Sequence, residues 1–158
     1  MADQVILLRD GRVEQDASPA ELYARPATVV TARFIGTPPM NVLKLADATG
    51  GAIVAGTNGP VLLPGRGAGL LLGVRPEDIT LAASSGLGAT VKTIEYLGAD
   101  SILTCDAGGQ ALAVRAPGRV ERPAGATVRL GWSKEHVHIF DEQSGRRRDD
   151  IPTTGTSG

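Results

Sequence analysis

Two histidines stand close together near the end of the chain, His136 and His138, with Glu135 before them and Asp141 after. On a strand, residues two apart share a face, so the pair could offer two imidazoles to a metal ion. A structural zinc site takes four protein ligands and a catalytic one three, and no thiolate or third imidazole lies near in the sequence. The pair therefore reads as packed or partner-facing. The sharpest polar cluster is Arg75-Pro76-Glu77-Asp78, placed directly after the apolar run 69–74. Two readings of it stay open. It is a charged turn at a strand end, or it is a docking corner where Arg75 gives its fork of donors to a carboxylate of this chain or another. Asp100, after Leu97-Gly98-Ala99, either faces a solvent groove or ends a turn.

Other chemistries lack their parts. The stretch Pro64-Gly65-Arg66-Gly67-Ala68-Gly69 is glycine-rich, but a phosphate-binding loop needs a following lysine and hydroxyl, and none of Lys44, Lys92 and Lys134 stands there. Ser84, Ser85 and Ser101 have no histidine at the spacing of a hydrolase motif. The lone Cys105 excludes an internal disulfide and sits in the apolar stretch Ile102-Leu103-Thr104-Cys105, where a small buried hydrophobe is the better reading than a nucleophile. The formal net charge is -1, and Arg146-Arg147-Arg148, the one basic run, is followed at once by Asp149 and Asp150. That cancels the field a nucleic-acid surface would need. Tyr96 and Trp132 are the plausible stacking platforms, and acids surround the first. No apolar stretch approaches the ~20 residues of a membrane span. No signal peptide is visible either, so a cytoplasm-like compartment is expected.

The elements that would position these groups are mostly strands. With 42% apolar residues but few aromatics, the core must be built from Val, Leu, Ile and Ala. Val5-Ile6-Leu7-Leu8, Asp10-Gly11 and Val13 predict a hairpin with a two-residue turn. The first run is apolar on both faces, so residues 1–16 are expected to be the least secure part and to seek cover from another sheet. Ser18-Pro19-Ala20-Glu21 predicts a capped helix start, with the short helix stopped by Pro26, and a second helix runs from Ala27 to Ile35 before Gly36. Thr37-Pro38-Pro39 is a rigid joint and a module boundary. Beyond it, ten short strands are expected at 41–46, 51–55, 60–63, 69–75, 79–82, 88–97, 100–106, 110–115, 126–131 and 136–140. Dense turn signals separate them, which points to a mainly β small barrel or sandwich. Residues 144–158 have one apolar residue, Ile151, and read as a disordered tail.

Taken together, several segments resemble a known family. Residues 2–26, from Ala2-Asp3-Gln4-Val5 through Ser18-Pro19-Ala20-Glu21-Leu22-Tyr23, look like the last stretch of an ABC-type importer ATPase. Phe34-Ile35-Gly36-Thr37-Pro38-Pro39-Met40-Asn41, Leu72-Gly73-Val74-Arg75-Pro76-Glu77-Asp78-Ile79, Ile94-Glu95-Tyr96-Leu97-Gly98 and His138-Ile139-Phe140-Asp141 follow in the order of the maltose, trehalose and glycerol-3-phosphate importer ATPases. The resemblance implies residues 1–35 as the end of an ATPase domain, 36–143 as a regulatory domain of the TOBE type with an oligonucleotide-binding-like β barrel, and 144–158 as a tail. It also implies a role in dimerisation and regulatory docking for carbohydrate or glycerol-3-phosphate import. The implied partners are a second copy, the transporter ATPase dimer and through it membrane permease subunits, and a regulatory protein. The implied place is the cytoplasmic side of the cell membrane. Candidate interface residues are Arg75, Glu77, Asp78, Tyr96, Asp100, His138 and Phe140. The family's phosphate loop, signature segment and switch histidine lie upstream of what Ala2 matches. No catalytic residue, metal or cofactor is therefore assigned to this chain, and Mg-ATP belongs to a longer parent. A small-anion-sensing module and a truncated gene product are the competing expectations.

Overall fold

The computed structural model describes residues 5–9, 12–36, 38–82 and 86–153, with residues 5–17 described by their backbone. The chain opens with an antiparallel hairpin, β1 (Val5–Arg9) and β2 (Arg12–Ala17). Arg9 pairs with Arg12, as a two-residue connection requires, although the expected Asp10-Gly11 turn itself lies outside the described residues. Two short helices follow, α1 (Pro19–Ala24) and α2 (Val29–Phe34). The cap reading holds, because the Ser18 side chain accepts a hydrogen bond from the Glu21 N–H at 3.2 Å. Thr28 caps α2 in the same way through the Thr31 N–H. Arg25 leaves the helical region at the end of α1, with φ −140° and ψ 69°, as residues before a proline are driven to do.

The remainder is two sheets around one core. The first has the order β6-β10-β7-β8-β9, built from β6 (Thr80–Ala82), β7 (Leu87–Tyr96), β8 (Asp100–Ala107), β9 (Gln110–Pro117) and β10 (Thr127–Gly131). The second has the order β11-β5-β3-β4, from β3 (Asn41–Ala48), β4 (Gly51–Val54), β5 (Leu70–Val74) and β11 (His138–Asp141). Alternation sends every second residue inward. Ser101, Leu103, Cys105 and Ala107 of β8 are buried, as are Leu112, Val114 and Ala116 of β9. All of these but Ser101 meet Leu43, Leu45, Val54, Leu72 and Val74 of the other sheet in a single cluster. Cys105 is a packed core hydrophobe whose thiol burial pushes above its ordinary pKa. The fold is mainly β, a small oligonucleotide-binding-like barrel preceded by a hairpin and two short helices.

Nine of the ten expected strand segments form; 60–63 does not. Its Leu62 and Leu63 bond to Ala52 at the edge of β4, at 2.7 and 3.0 Å, and the contact stays a single bridge because Pro60 has no N–H to extend it. The expected 136–140 strand begins only at His138, because Lys134–His136 forms a 3-10 turn. The disordered tail is corrected for residues 144–153: Arg146 and Arg147 make β-bridges to Thr28 and Phe140. Residues 154–158 lie outside the described residues.

The two sheets are joined by side-chain amides where no backbone ladder runs. β3 pairs with β5 over Asn41–Lys44 and with β4 from Leu45 onward, so the first half of β3 lacks a second neighbouring strand. There the Asn41 amide does what a strand would do. Its Nδ2 donates to the Ala113 carbonyl and its Oδ1 accepts from the Ala113 N–H, both at 2.7 Å. Gln110 repeats the device in reverse, accepting from the Lys44 N–H at 2.8 Å and donating to the Lys44 and Ala55 carbonyls. As β3 advances from Asn41 to Lys44, β9 retreats from Ala113 to Gln110, so the strands pass antiparallel. Just beyond, the turns at Gly56 and Gly108 touch so closely that a Cβ on Gly56 would lie 2.2 Å from the Gly108 carbonyl oxygen. Both glycines also have positive φ, at 87° and 59°, so side chains are excluded twice over.

This closure yields the first prediction. Asn41→Leu keeps the volume but strands a part-buried donor and acceptor on Ala113, and the expected loss is about 1–2 kcal/mol in urea unfolding. A loss within experimental error would mean that the amide contributes nothing to closure.

Candidate docking and coupling site

Arg75 sits where β5 leaves the core and Pro76 starts a 3-10 turn (Pro76–Asp78). The backbone there is extended, and the side chain turns inward until only 1% of the residue is exposed. Its Nη1 donates to the Ile35 carbonyl at 2.7 Å and to the Ala32 carbonyl at 3.5 Å, and its Nη2 donates to the Tyr23 carbonyl at 2.9 Å. The guanidinium carbon lies 4.1 Å from the centre of the Tyr23 ring. The last carbonyls of a helix have no partner within it and carry partial negative charge, so a cation there is favoured. Arg75 thus caps the C-terminal ends of α1 and α2 at once. Burial holds its pKa below the usual arginine value, with Asp78 acting in the opposite direction, and a guanidinium so basic to begin with stays charged.

Neither open reading of the cluster anticipated these acceptors. The partners of Arg75 are backbone carbonyls, not a carboxylate. The acids stand outside: Glu77 is exposed and Asp78 half-buried, with an oxygen 3.9 Å from His136 Nε2. Asp100, at the start of β8, accepts from Arg115 Nε at 2.5 Å, and both the Asp100 carboxylate and Glu77 raise the Arg115 pKa. Arg115 is thus ion-paired to Asp100 and favoured further by the charge of Glu77. Tyr96 stands on the same β7–β8 hairpin as Asp100, 47% exposed beside Leu97 at 50%. Arg119 lies over its ring at 5.5 Å. Between Ile94, Tyr96 and the 119–123 segment runs an open groove of about 440 Å³.

The histidine pair separates. His136 stays half-exposed on its 3-10 turn, while His138 is buried on β11. Its Nδ1 lies 2.8 Å from Nη1 of Arg147, an obligate donor, so the imidazole accepts there and is neutral. Its pKa falls from 6.5 to about 4, chiefly by burial and then by the Arg147 and Arg75 charges. Phe140 is wholly buried against Ala32 and Met40. Of the seven candidate interface residues, Arg75, His138 and Phe140 are thus corrected to internal positions, since a side chain spent on the chain's own core offers no surface. Glu77, Asp78, Tyr96 and Asp100 keep exposure. Sequence reading missed Arg147, whose run of three arginines looked like a solvated tail. Its one signal was that Asp149 and Asp150 stand two residues after Arg147 and Arg148, realised as Arg147–Asp149 and Arg148–Asp150 pairs at 2.6 and 2.8 Å. Among the described residues no group of three or more His, Cys, Asp or Glu could hold a metal ion, and no helix is long and apolar enough to cross a membrane.

Comparison with known proteins places this geometry. Residues 72–140 match the family model described as the TOBE domain. The sn-glycerol-3-phosphate import ATP-binding protein UgpC of Cupriavidus pinatubonensis is 36% identical over 167 residues, covering 93% of this chain and 45% of that protein. The protein of the same name from a Jannaschia species is 37% identical, covering 93% of this chain and 42% of its own length. That of Chromohalobacter salexigens is 36% identical over 98% of this chain and 43% of its own. The chain spans less than half the length of the curated relatives it matches.

Two outcomes follow from the buried pair. Arg75→Met leaves the Tyr23 and Ile35 carbonyls without their donor and should cost about 3 kcal/mol in denaturant unfolding, with Arg75→Lys recovering little because one ammonium cannot span both. His138 has its folded pKa depressed, so between pH 6.5 and about 4 the unfolded chain binds a proton that the folded one refuses. Stability should therefore be unaffected by this group above that window and fall through it as pH drops, by about 3 kcal/mol in full. A stability profile of His138→Gln that declines as steeply as the parent's across that window would exclude His138 as its source.

Proposed function

We propose that this chain, which matches the TOBE domain over residues 72–140 and is 36–37% identical to sn-glycerol-3-phosphate import ATP-binding proteins, works as the regulatory and dimerisation module of such an ATP-binding subunit. The observation that carries this reading is the span of the likeness. The family model covers barrel residues alone, while the relatives match nearly the whole chain, helices included. Residues 1–35 then correspond to the end of an ATPase domain and residues 36–143 to the regulatory barrel. The Arg75 contacts support a rigid join between them: a displacement of the helices in one body is passed to the other without slack.

The solute class proposed is glycerol-3-phosphate or a related carbohydrate, following the names of the relatives. The partners are a second copy, the ATPase dimer, its membrane permeases, and a regulatory protein, met at the cytoplasmic face of the membrane. The surface left for docking carries Glu77, Asp78, Tyr96 and Asp100 with the groove beside Tyr96. Mg-ATP is the fuel of the parent. The residues present do not fit it: no glycine turn in this sequence is followed by the lysine and hydroxyl of a phosphate cradle.

Two measurements test the reading. Sedimentation equilibrium over a hundredfold concentration range should show a monomer–dimer equilibrium, and a strictly monomeric mass throughout would remove self-association from it. Titration calorimetry with Mg-ATP at millimolar concentration should be flat; a saturable one-to-one site would overturn the assignment of this chain to the region outside the nucleotide cradle.

A further inference from the structure

After β11 the chain turns back on itself. The Asp141 carboxylate accepts from the Ser144 N–H at 2.7 Å, the Gly145 N–H donates to the Asp141 carbonyl at 2.8 Å, and Gly145 reverses the chain with φ of 73°. The return run pairs with β11 along one edge, through Asp141 N–H to the Arg146 carbonyl at 2.8 Å and Arg148 N–H to the Ile139 carbonyl at 2.7 Å. Along its other edge it pairs with the start of α2, through Arg147 N–H to the Ala27 carbonyl and Val29 N–H to the Gly145 carbonyl, both at 2.9 Å. The second sheet is thus extended by two short rungs, 145–148 and then 27–29, beyond β11.

One side chain threads this join. Arg147 gives Nη1 to His138 Nδ1 at 2.8 Å and to the Pro26 carbonyl at 3.4 Å, and its Nε to Asp149 at 2.6 Å. The other oxygen of Asp149 takes Arg25 Nη2 at 2.6 Å, from the end of α1. Residues 144–149 read Ser-Gly-Arg-Arg-Arg-Asp and bring no apolar side chain to the core, whereas Ile151 beyond them packs against it. The run is therefore anchored at both ends and held between them by hydrogen bonds and ion pairs alone. Each such bond is worth only about 1 kcal/mol net, and segments with few apolar contacts open locally without global unfolding.

We propose that residues 144–149 are a releasable strap that holds the helical segment 19–35 on the barrel, with Arg147 as its positioning residue. The strap follows the TOBE match and fastens the helical segment, which precedes that match, to β11 at its end; it can open while both sheets stay intact. Opening it frees the α1–α2 junction, leaving Arg75 and the Phe140 cluster as the remaining hold. The inference stands on backbone geometry and does not need the transport reading.

Amide hydrogen exchange on the full chain tests it, with Arg147→Ala and the milder, surface-lying Asp149→Ala. Exchange at Val29 should speed up about tenfold in Arg147→Ala, with Arg25 following, while amides of 87–117 keep the parent's rates. Asp149→Ala should move the same amides in the same direction by less, and it decides the matter alone if Arg147→Ala does not fold. Unchanged exchange at Val29 would overturn the strap. So would equal acceleration in the helices and in β7–β9, since the strap would then belong to one cooperative unit. Neither result bears on the dimerisation measured by sedimentation.

Discussion

Arg75 carries a full charge to a place with almost no water, and the cost of stripping that charge is met by three helix-end carbonyls and an aromatic face. Much around it follows from this arrangement. The two helices are only six residues each, too short to be stable alone, and a cation at both C-terminal ends gives them a reason to form together against the barrel. The same charge makes a second cation nearby unfavourable, so it helps keep His138 neutral. A neutral His138 can in turn accept from Arg147. One buried guanidinium therefore organises the helix ends directly and the return run after β11 through the imidazole between them.

A second principle recurs in the barrel. Where β3 has no neighbour on one side, Asn41 and Gln110 supply the donor and acceptor of a missing strand. An amide side chain carries the same pair of groups as a peptide unit, so it can stand in for one at a gap between sheets. A continuous ladder would have forced β9 to lie alongside β3 for its whole length. Two amides fix the passage at two points and leave β4 free to pair with the rest of β3.

What could be read from the residues divides along physical lines. Alternation and turn residues expose strands well, because the signals are local, and nine strand segments were legible from them within a few residues. The Ser18 cap was legible for the same reason. The segment 60–63 misled because its composition suits a strand, while Pro60 has no N–H to carry the pairing beyond Ala52. Which candidate residues would lie at the surface was legible only in part. Glu77, Asp78, Tyr96 and Asp100 are polar or amphipathic residues beside turns, and exposure is what such residues ordinarily have. Arg75 and His138 are polar residues of the same kind and Phe140 is an apolar one near the chain's last strand end, yet all three are buried by contacts that local sequence does not show. The 144–149 run shows the limit most clearly. Its polar composition signals solvent, whereas its order comes from backbone pairing that composition does not encode.

The pairing of Arg25 with Asp149 spans 124 residues of sequence. During synthesis the helices leave the ribosome early, but the rungs that hold their junction come from a part of the chain made long afterwards. Contacts of such separation carry the largest loop-closure cost and form late. The barrel strands between them can pair with near neighbours as they emerge, through the β3–β4 hairpin and then the β7–β8 and β8–β9 hairpins. Arg75 and Met40 can hold the helix ends before then, but the α1–α2 junction stays without its rungs until residues 144–149 arrive. The order in which the chain is made and the order in which it closes are therefore opposed at this one junction, and the interval between them is when this protein is most open to capture by the wrong surface.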